Sequence, residues 1–491
     1  MSLGQSIRHG AVWLFIGNTS SQILTFLFGI VLARLLAPSD FGMLVTISIF
    51  TGIAGFIAGG GMGQALVHAK EVTKQDYDVV FTLQIIIGCL IYAFFFFAAP
   101  WFAKWYSTPL YADLLRISAL SFIFRPFINL PGSILHREMQ FKAKTIAGFA
   151  SLLLSSAISI AMAYAGYGVW SLILGGMASA VASAFILALL AKWRPGFSLD
   201  FRRGRNIARY GMLVAIGDFI VYLRSQASNF ILSKTLGPLG LGLYNKANSL
   251  TLIPHGQITG AVYQVTFRAL AKEQDDLNLS QYLYLRSITL VSIYTWPLLL
   301  ALAWLALPLI RFVYGDKWVG TALPMAWLAA IGPFIMLEIL AGSVLAARNW
   351  LDREIPVQIT QLIVVSLGVI AGLPYGLLGV AIGASLANIY GAFHMTWLAS
   401  KCLSMRMRRI AISMGVPLLL NLGVLLLWIT LDALFKPQEC CGDFIYLLVM
   451  LGSGGLLYAL LFFFAPIPNI DSEKQRWLNL VRKPFAMMRK S

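Results

Sequence analysis

The sequence predicts an all-α polytopic membrane protein of about fourteen transmembrane helices, arranged as two pseudo-symmetric six-helix lobes plus two C-terminal helices. Three observations predict it. Of 491 residues, 59% are hydrophobic and only 12% charged, with a mean hydropathy of +0.78; a soluble domain carries about a quarter charged residues. Fourteen apolar segments can be drawn, each near the about 20 residues that cross a bilayer. Turn-like breaks separate them, among them Ala37-Pro38-Ser39-Asp40, Ala165-Gly166-Tyr167-Gly168, Gly237-Pro238 and Pro374-Tyr375-Gly376. The first half of the chain also recurs in the second.

The recurrence is clearest at a shift of 200 positions. Asn18, Gln22, Thr25 and Gly29 correspond to Asp218, Tyr222, Ser225 and Asn229. Gly17 matches Gly217, Leu32 Leu232, Leu36 Leu236, Pro38 Pro238 and Gly42 Gly242, and Arg34 pairs with Lys234. Pro126-Phe127 with Gly132-Ser133 returns as Pro333-Phe334 with Gly342-Ser343, and Tyr167-Gly168-Val169 as Tyr375-Gly376-Leu377. Internal repeats of this kind are a recurring construction of transporters.

In chain order, the apolar run from Ala11 is longer than the apolar core of a signal peptide and reads as the first permanent span. Residues 1–191 form the first lobe, 192–209 a basic linker and 210–400 the second lobe. Residues 401–466 hold two further helices and 467–491 a basic tail. The short turns make neighbouring helices antiparallel. Lys and Arg number 27 on the side of the two termini and 7 on the other, so both termini are expected in the cytoplasm. The tail mixes cations with Trp477, Leu478, Leu480 and Val481 and is expected along the membrane surface. The net charge of +17 is read as loop charge meeting anionic lipid heads; no nucleic-acid module lies outside the spans.

The sequence holds no H-E-x-x-H, P-loop, G-x-S-x-G or D-x-D, and no aqueous loop large enough for an integral polymerase or glycosyltransferase. The expectation is a transporter, not an enzyme. Cys89, Cys402, Cys440 and Cys441 have no ligand spacing with the five histidines, so no metal and no cofactor is expected.

What the spans do carry is polar groups at membrane depth. Asp218, Tyr222, Ser225 and Asn229, at i, i+4, i+7 and i+11, share a helix face. An ionisable group at that depth faces a bundle interior or a wet cavity, so this face should look inward. Most deep Asn and Gln bridge helices; a deep cation needs a partner or water. Arg125, Arg224 and Lys246 are therefore the candidate headgroup contacts, with Asn18, Gln22, Asn229 and Asn245 beside them. Asp218 is also a candidate structural partner of Lys246. Arg224 lies about 120° off the Asp218 stripe at about 100° per residue. Asp218 and Glu338 are the candidates for a coupling H⁺ or Na⁺. His255, after the kink expected at Pro254, and His394 read as packed hydrogen-bonding residues. Cations and amides together suit an anionic, hydroxyl-rich substrate, the guanidinium and ammonium groups on a diphosphate and the amides on sugar hydroxyls.

Four motifs carry a family resemblance: V-L-A-R-L-L-A-P-S-D-F-G (Val31 to Gly42), L-H-R-E-M-Q-F-K (Leu135 to Lys142), L-G-P-L-G-L-G-L-Y-N-K-A (Leu236 to Ala247) and F-V-Y-G-D-K-W (Phe312 to Trp318). With them the chain resembles, from Met1 to about Lys401, the polysaccharide-transporter branch of the multidrug/oligosaccharidyl-lipid/polysaccharide superfamily, of the colanic acid exporter type. One departure is Arg268, where such relatives carry Pro. The resemblance implies a two-lobed bundle in the bacterial inner membrane that moves undecaprenyl-diphosphate-linked oligosaccharide between leaflets by alternating access. Its implied partners are that lipid-linked sugar, membrane lipids and, as a further candidate, polysaccharide polymerase machinery. The alternatives are a cation-coupled drug exporter on the same scaffold and a non-transporting scaffold of polysaccharide assembly.

Overall fold

The computed structural model describes residues 3–59, 61–69, 71–200, 219–435, 437–464 and 473–479. Asp218, Gly217 and residues 201–209 of the basic linker lie outside them, as do the side chains of Asn18, Cys440 and Cys441. Every regular element among the described residues is helical. Among the described residues, ten stretches are long and apolar enough to cross a membrane, and one of these, residues 352–402, is two helices. The helix with apolar part Thr19–Leu35, the helix at 219–235 and the pair Gly237–Pro254 and Gly260–Lys272 bring the candidate crossings among the described residues to about fourteen. The chain divides into two compact units, Met1–Asn245 and Lys246–Ser491.

In the first unit, α1 (Leu3–Leu35) packs on α7 (Phe141–Tyr164), where Gly17 lies under the Thr145 side chain. Pro38 opens α2 (Pro38–Gly59) at a first-turn position that needs no N–H, and Asp40 Oδ2 accepts from the Ala37 N–H at 3.0 Å. Met62–His68 forms α3. Thr73 and Asp76 close a capping box on α4 (Lys74–Trp105). One crossing is split into α5 (Leu110–Ala119) and α6 (Ser121–Arg137), and α8 (Val169–Leu190) follows the left-handed Gly168. Tyr111, Leu114, Leu115 and Phe122 fill the space between α2, α4, α5 and α8.

Lipid tails are as apolar as these side chains, so close backbone approach and polar bridges hold the helices together. The tightest approach in this unit joins α2 to α10 (Gly237–Pro254), which follows α9 (219–235). A Cβ on Gly42 would lie 1.8 Å from the Pro238 carbonyl oxygen, and one on Gly242 1.9 Å from that of Pro38. The two contacts are reciprocal, and each joins residues 200 positions apart from those of the other.

In the second unit, a one-turn π-helix at His255–Thr259 separates Pro254 from α11 (Gly260–Lys272). The expected kink at Pro254 is therefore a widened turn. Helices α12 (Leu277–Trp304), α14 (Ala322–Ala347) and α16 (Gly376–Cys402) enclose a core of Ile288, Val291, Met336, Leu340, Val344 and Ala399. The short α13 (Ala306–Tyr314) sits between α12 and α14 in the chain. Two four-residue glycine pairs, Gly368/Gly372 on α15 (Leu351–Gly372) and Gly379/Gly383 on α16, face each other at backbone contact. The last long helices, α17 (Met407–Phe435) and α18 (Pro437–Phe464), are pinned by Asp432. It accepts from Trp304 Nε1 at 3.1 Å and from the Tyr446 hydroxyl at 3.1 Å. A short helix, α19 (473–479), follows.

Candidate substrate site

Arg125 stands on α6, one residue before Pro126. Its guanidinium donates to the Gly55 carbonyl of α2 at 3.2 Å and lies 4.6 Å from the centre of the Phe122 ring. Gly55 makes the room: a Cβ there would come within 2.6 Å of Nη1. About two turns earlier on α2, the Tyr222 hydroxyl donates to the carbonyls of Ser48 and Ile49 at 3.0 and 3.1 Å. Its ring lies over Gly52 and 5.2 Å from that of Phe56. Arg125 and Tyr222, from α6 and α9, thus meet α2 about two turns apart.

The rest of the polar stripe divides. Asn229 is buried and donates to Gln226 Oε1 at 2.8 Å. Ser225 is exposed and donates to the Tyr222 carbonyl. Gln22 and Thr25 on α1 are exposed, while Arg224 and Asn245 are half-buried.

Lys246, in the second unit, is held by aromatic rings: its Nζ is 4.8 Å from the Tyr314 ring centre and 5.1 Å from that of Trp318. Both rings are buried, Trp318 completely. A desolvated cation over aromatic faces gains about 2 kcal/mol, so the motif Phe312 to Trp318 places two aromatic faces against this ammonium. Sequence reasoning singled out the lysine and quoted the motif without connecting them.

Glu338 is buried on α14. Gln361 of α15 donates to its Oε2 at 3.1 Å and to the Ala387 carbonyl of α16 at 3.2 Å, so one amide ties three helices. Removing the carboxylate by Glu338→Leu leaves one N–H of that amide without this acceptor and should destabilise by about 1–3 kcal/mol. Glu338→Gln keeps an acceptor oxygen and should melt within a few degrees of the parent protein. Thermal unfolding of the purified protein checks both.

His394 shares a hydrogen bond with the Tyr390 hydroxyl at 3.0 Å, which also meets Thr360 Oγ1 at 2.9 Å. His255, in the π-turn, is 3% exposed and neither ring nitrogen has a hydrogen-bond partner among the described residues. No cluster of three or more His, Cys, Asp or Glu close enough to hold a metal occurs among the described residues.

A family model described as polysaccharide biosynthesis protein matches residues 31–323. The lipopolysaccharide biosynthesis protein WzxC of Escherichia coli (strain K12) is 22% identical over 443 residues, covering 89% of this chain and 90% of that protein. The succinoglycan biosynthesis transport protein ExoT of Rhizobium meliloti (strain 1021) is 24% identical over 333 residues, 68% of this chain and 67% of that one. Among solved structures, the lipid II flippase MurJ in an inward closed conformation superposes with a TM-score of 0.73 at 15% identity, over 92% of this chain and 99% of its own. An inward-facing multidrug resistance MATE family transporter of the MOP superfamily gives 0.64 at 16%, over 80% and 98%. At these identities the two structures share the fold with this chain.

Proposed function

We propose, from the premise that the chain belongs to the polysaccharide biosynthesis protein family and is a multi-pass membrane protein of its transporter branch, that it flips a polyprenyl-diphosphate-linked oligosaccharide across a bacterial inner membrane. The sugar moves from the cytoplasmic to the periplasmic leaflet by alternating access, and both termini stay in the cytoplasm. One observation carries the reading: Arg125, Arg224 and Lys246 are basic groups within the spans, in a chain similar along most of its length to a lipopolysaccharide biosynthesis protein.

In this reading the diphosphate draws the cations away from the contacts they make in its absence. Arg125 exchanges the Gly55 carbonyl and the Phe122 ring face, and Lys246 a pair of ring faces, for phosphate oxygens, which are stronger charge-assisted acceptors. Gln22, Asn229 and Asn245 then address sugar hydroxyls. Glu338, buried beside the Gln361 amide, is the candidate for a coupling H⁺ or Na⁺.

The test is reconstitution of the purified protein into liposomes that carry a fluorescent lipid-linked oligosaccharide in one leaflet. Arrival of label at the opposite leaflet, at a rate far above protein-free vesicles, supports the reading. Protein-free rates with this substrate, alongside gradient-driven efflux of organic cations, would replace it with a drug exporter. Protein-free rates for both would leave a scaffold.

A further inference from the structure

In the second unit, a pocket of about 420 Å³ opens among α12, α17, α18 and α19, walled by Tyr294, Leu298, Trp428, Gly455, Phe462 and Trp477 among others. The polar atoms of its walls are engaged. Trp428 Nε1 donates to the Met450 carbonyl at 2.8 Å, the Tyr458 hydroxyl to the Ile293 carbonyl at 2.7 Å, and Trp477 Nε1 to the Tyr294 hydroxyl at 2.9 Å. A chamber lined this way offers water nothing and favours a hydrocarbon occupant.

Its rim has the opposite character. Glu473 lies 3.9 Å from Arg286 of α12 and 3.9 Å from Arg476. The ion pair with Arg286 and the Trp477–Tyr294 hydrogen bond lay the short α19 along α12. Arg286 and Arg476, each beside Glu473, thus border the roof, with Lys474 adjacent to Glu473 in the chain. A basic rim beside an indole over an apolar chamber is the arrangement that holds a lipid at the level of its headgroup.

We infer that this pocket takes one acyl chain of an anionic membrane phospholipid, with the phosphate at the Arg286, Lys474 and Arg476 rim and Trp477 as the clamp above the chain. At about 30 Å³ for a group the size of a water or a methylene, a volume of about 420 Å³ accommodates about fourteen such groups, the length of one fatty acyl chain; competition with polyprenyl phosphate separates this occupant from the isoprenoid of a transported lipid.

The probe is phosphatidylglycerol with brominated acyl chains, compared with brominated phosphatidylcholine, in nanodiscs holding the full-length protein. Quenching of tryptophan fluorescence is read as the difference between the parent protein and Trp477→Phe. The expected result is preferential quenching by the anionic lipid, roughly 30-fold for two rim cations, and its collapse to equality in Arg286→Gln/Arg476→Gln. Gly455→Leu fills the chamber, since a Cβ at Gly455 meets nothing within 4 Å. It should abolish the Trp477-dependent quenching while elution and melting temperature stay at parental values. Equal quenching by the two lipids, quenching unchanged in a well-folded Gly455→Leu, or displacement of the anionic phospholipid by equimolar polyprenyl phosphate would each overturn the assignment. Because the readout is lipid occupancy, it stands or falls separately from flipping.

Discussion

Replacing Arg224 and Lys246 together by glutamine is expected to abolish surface polysaccharide while the amount of protein in the membrane holds. A charged hydrogen bond to phosphate contributes about 1.5–3 kcal/mol, so losing two weakens headgroup binding by roughly 10² to 10⁴-fold. The stability side is smaller. Lys246 gives up its interaction with Tyr314 and Trp318, about 2 kcal/mol, and glutamine also removes the desolvation penalty of a cation at that depth. Arg224 is half-buried, and glutamine retains its hydrogen-bonding capacity. A companion substitution separates the two effects. Tyr314→Leu removes one ring face and leaves the ammonium, so it should lower stability and retain export. Export unchanged in the double variant, with membrane levels matched by immunoblot, would remove both cations from the mechanism.

What the sequence displayed of this arrangement, and what it hid, follows from the range of the interactions. The helices were legible because hydropathy is a local property summed over about 20 residues. The duplication was legible because Pro38 and Pro238, or Gly42 and Gly242, stand at one fixed offset. Lys246 could be recognised as a cation in an apolar helix. Its partners could not, because Tyr314 and Trp318 come from a different helix and turn, and spacing along the chain does not report that meeting. Arg125 was harder still: its acceptor is the carbonyl of Gly55, a group every residue carries, marked only by a missing side chain. Asp432 passed unremarked near the end of a span, yet it joins α12, α17 and α18 through Trp304 and Tyr446. Several motif residues behind the family resemblance also have packing roles. Arg137 donates to the Leu66 and Ala69 carbonyls at 2.9 and 2.6 Å, closing the end of α3. Motifs of this kind identify a scaffold more directly than a substrate.

The second large effect is expected at the reciprocal glycine–proline contact. Gly42→Ala sets a Cβ 1.8 Å from the Pro238 carbonyl oxygen, and Gly242→Ala sets one 1.9 Å from that of Pro38. Neither acceptor is a flexible side chain that can swing away. The backbones must part, and overpacking of this kind costs about 1–3 kcal/mol, occasionally more. Gly29→Ala and Gly132→Ala, where a Cβ meets nothing within 4 Å, are the controls and should be silent. The two active substitutions should not add. Once α2 and α10 have separated to admit one methyl group, the second finds its space already made, so the double variant should fall well short of the sum of the singles. In a protein that alternates between two states, a penalty confined to the state holding this contact shifts the populations by the same free energy. Transport in the single variants should then change even where the purified protein still melts cooperatively. Full additivity in thermal unfolding would show that Gly42 and Gly242 pack independently and that the reciprocal contact is not one unit.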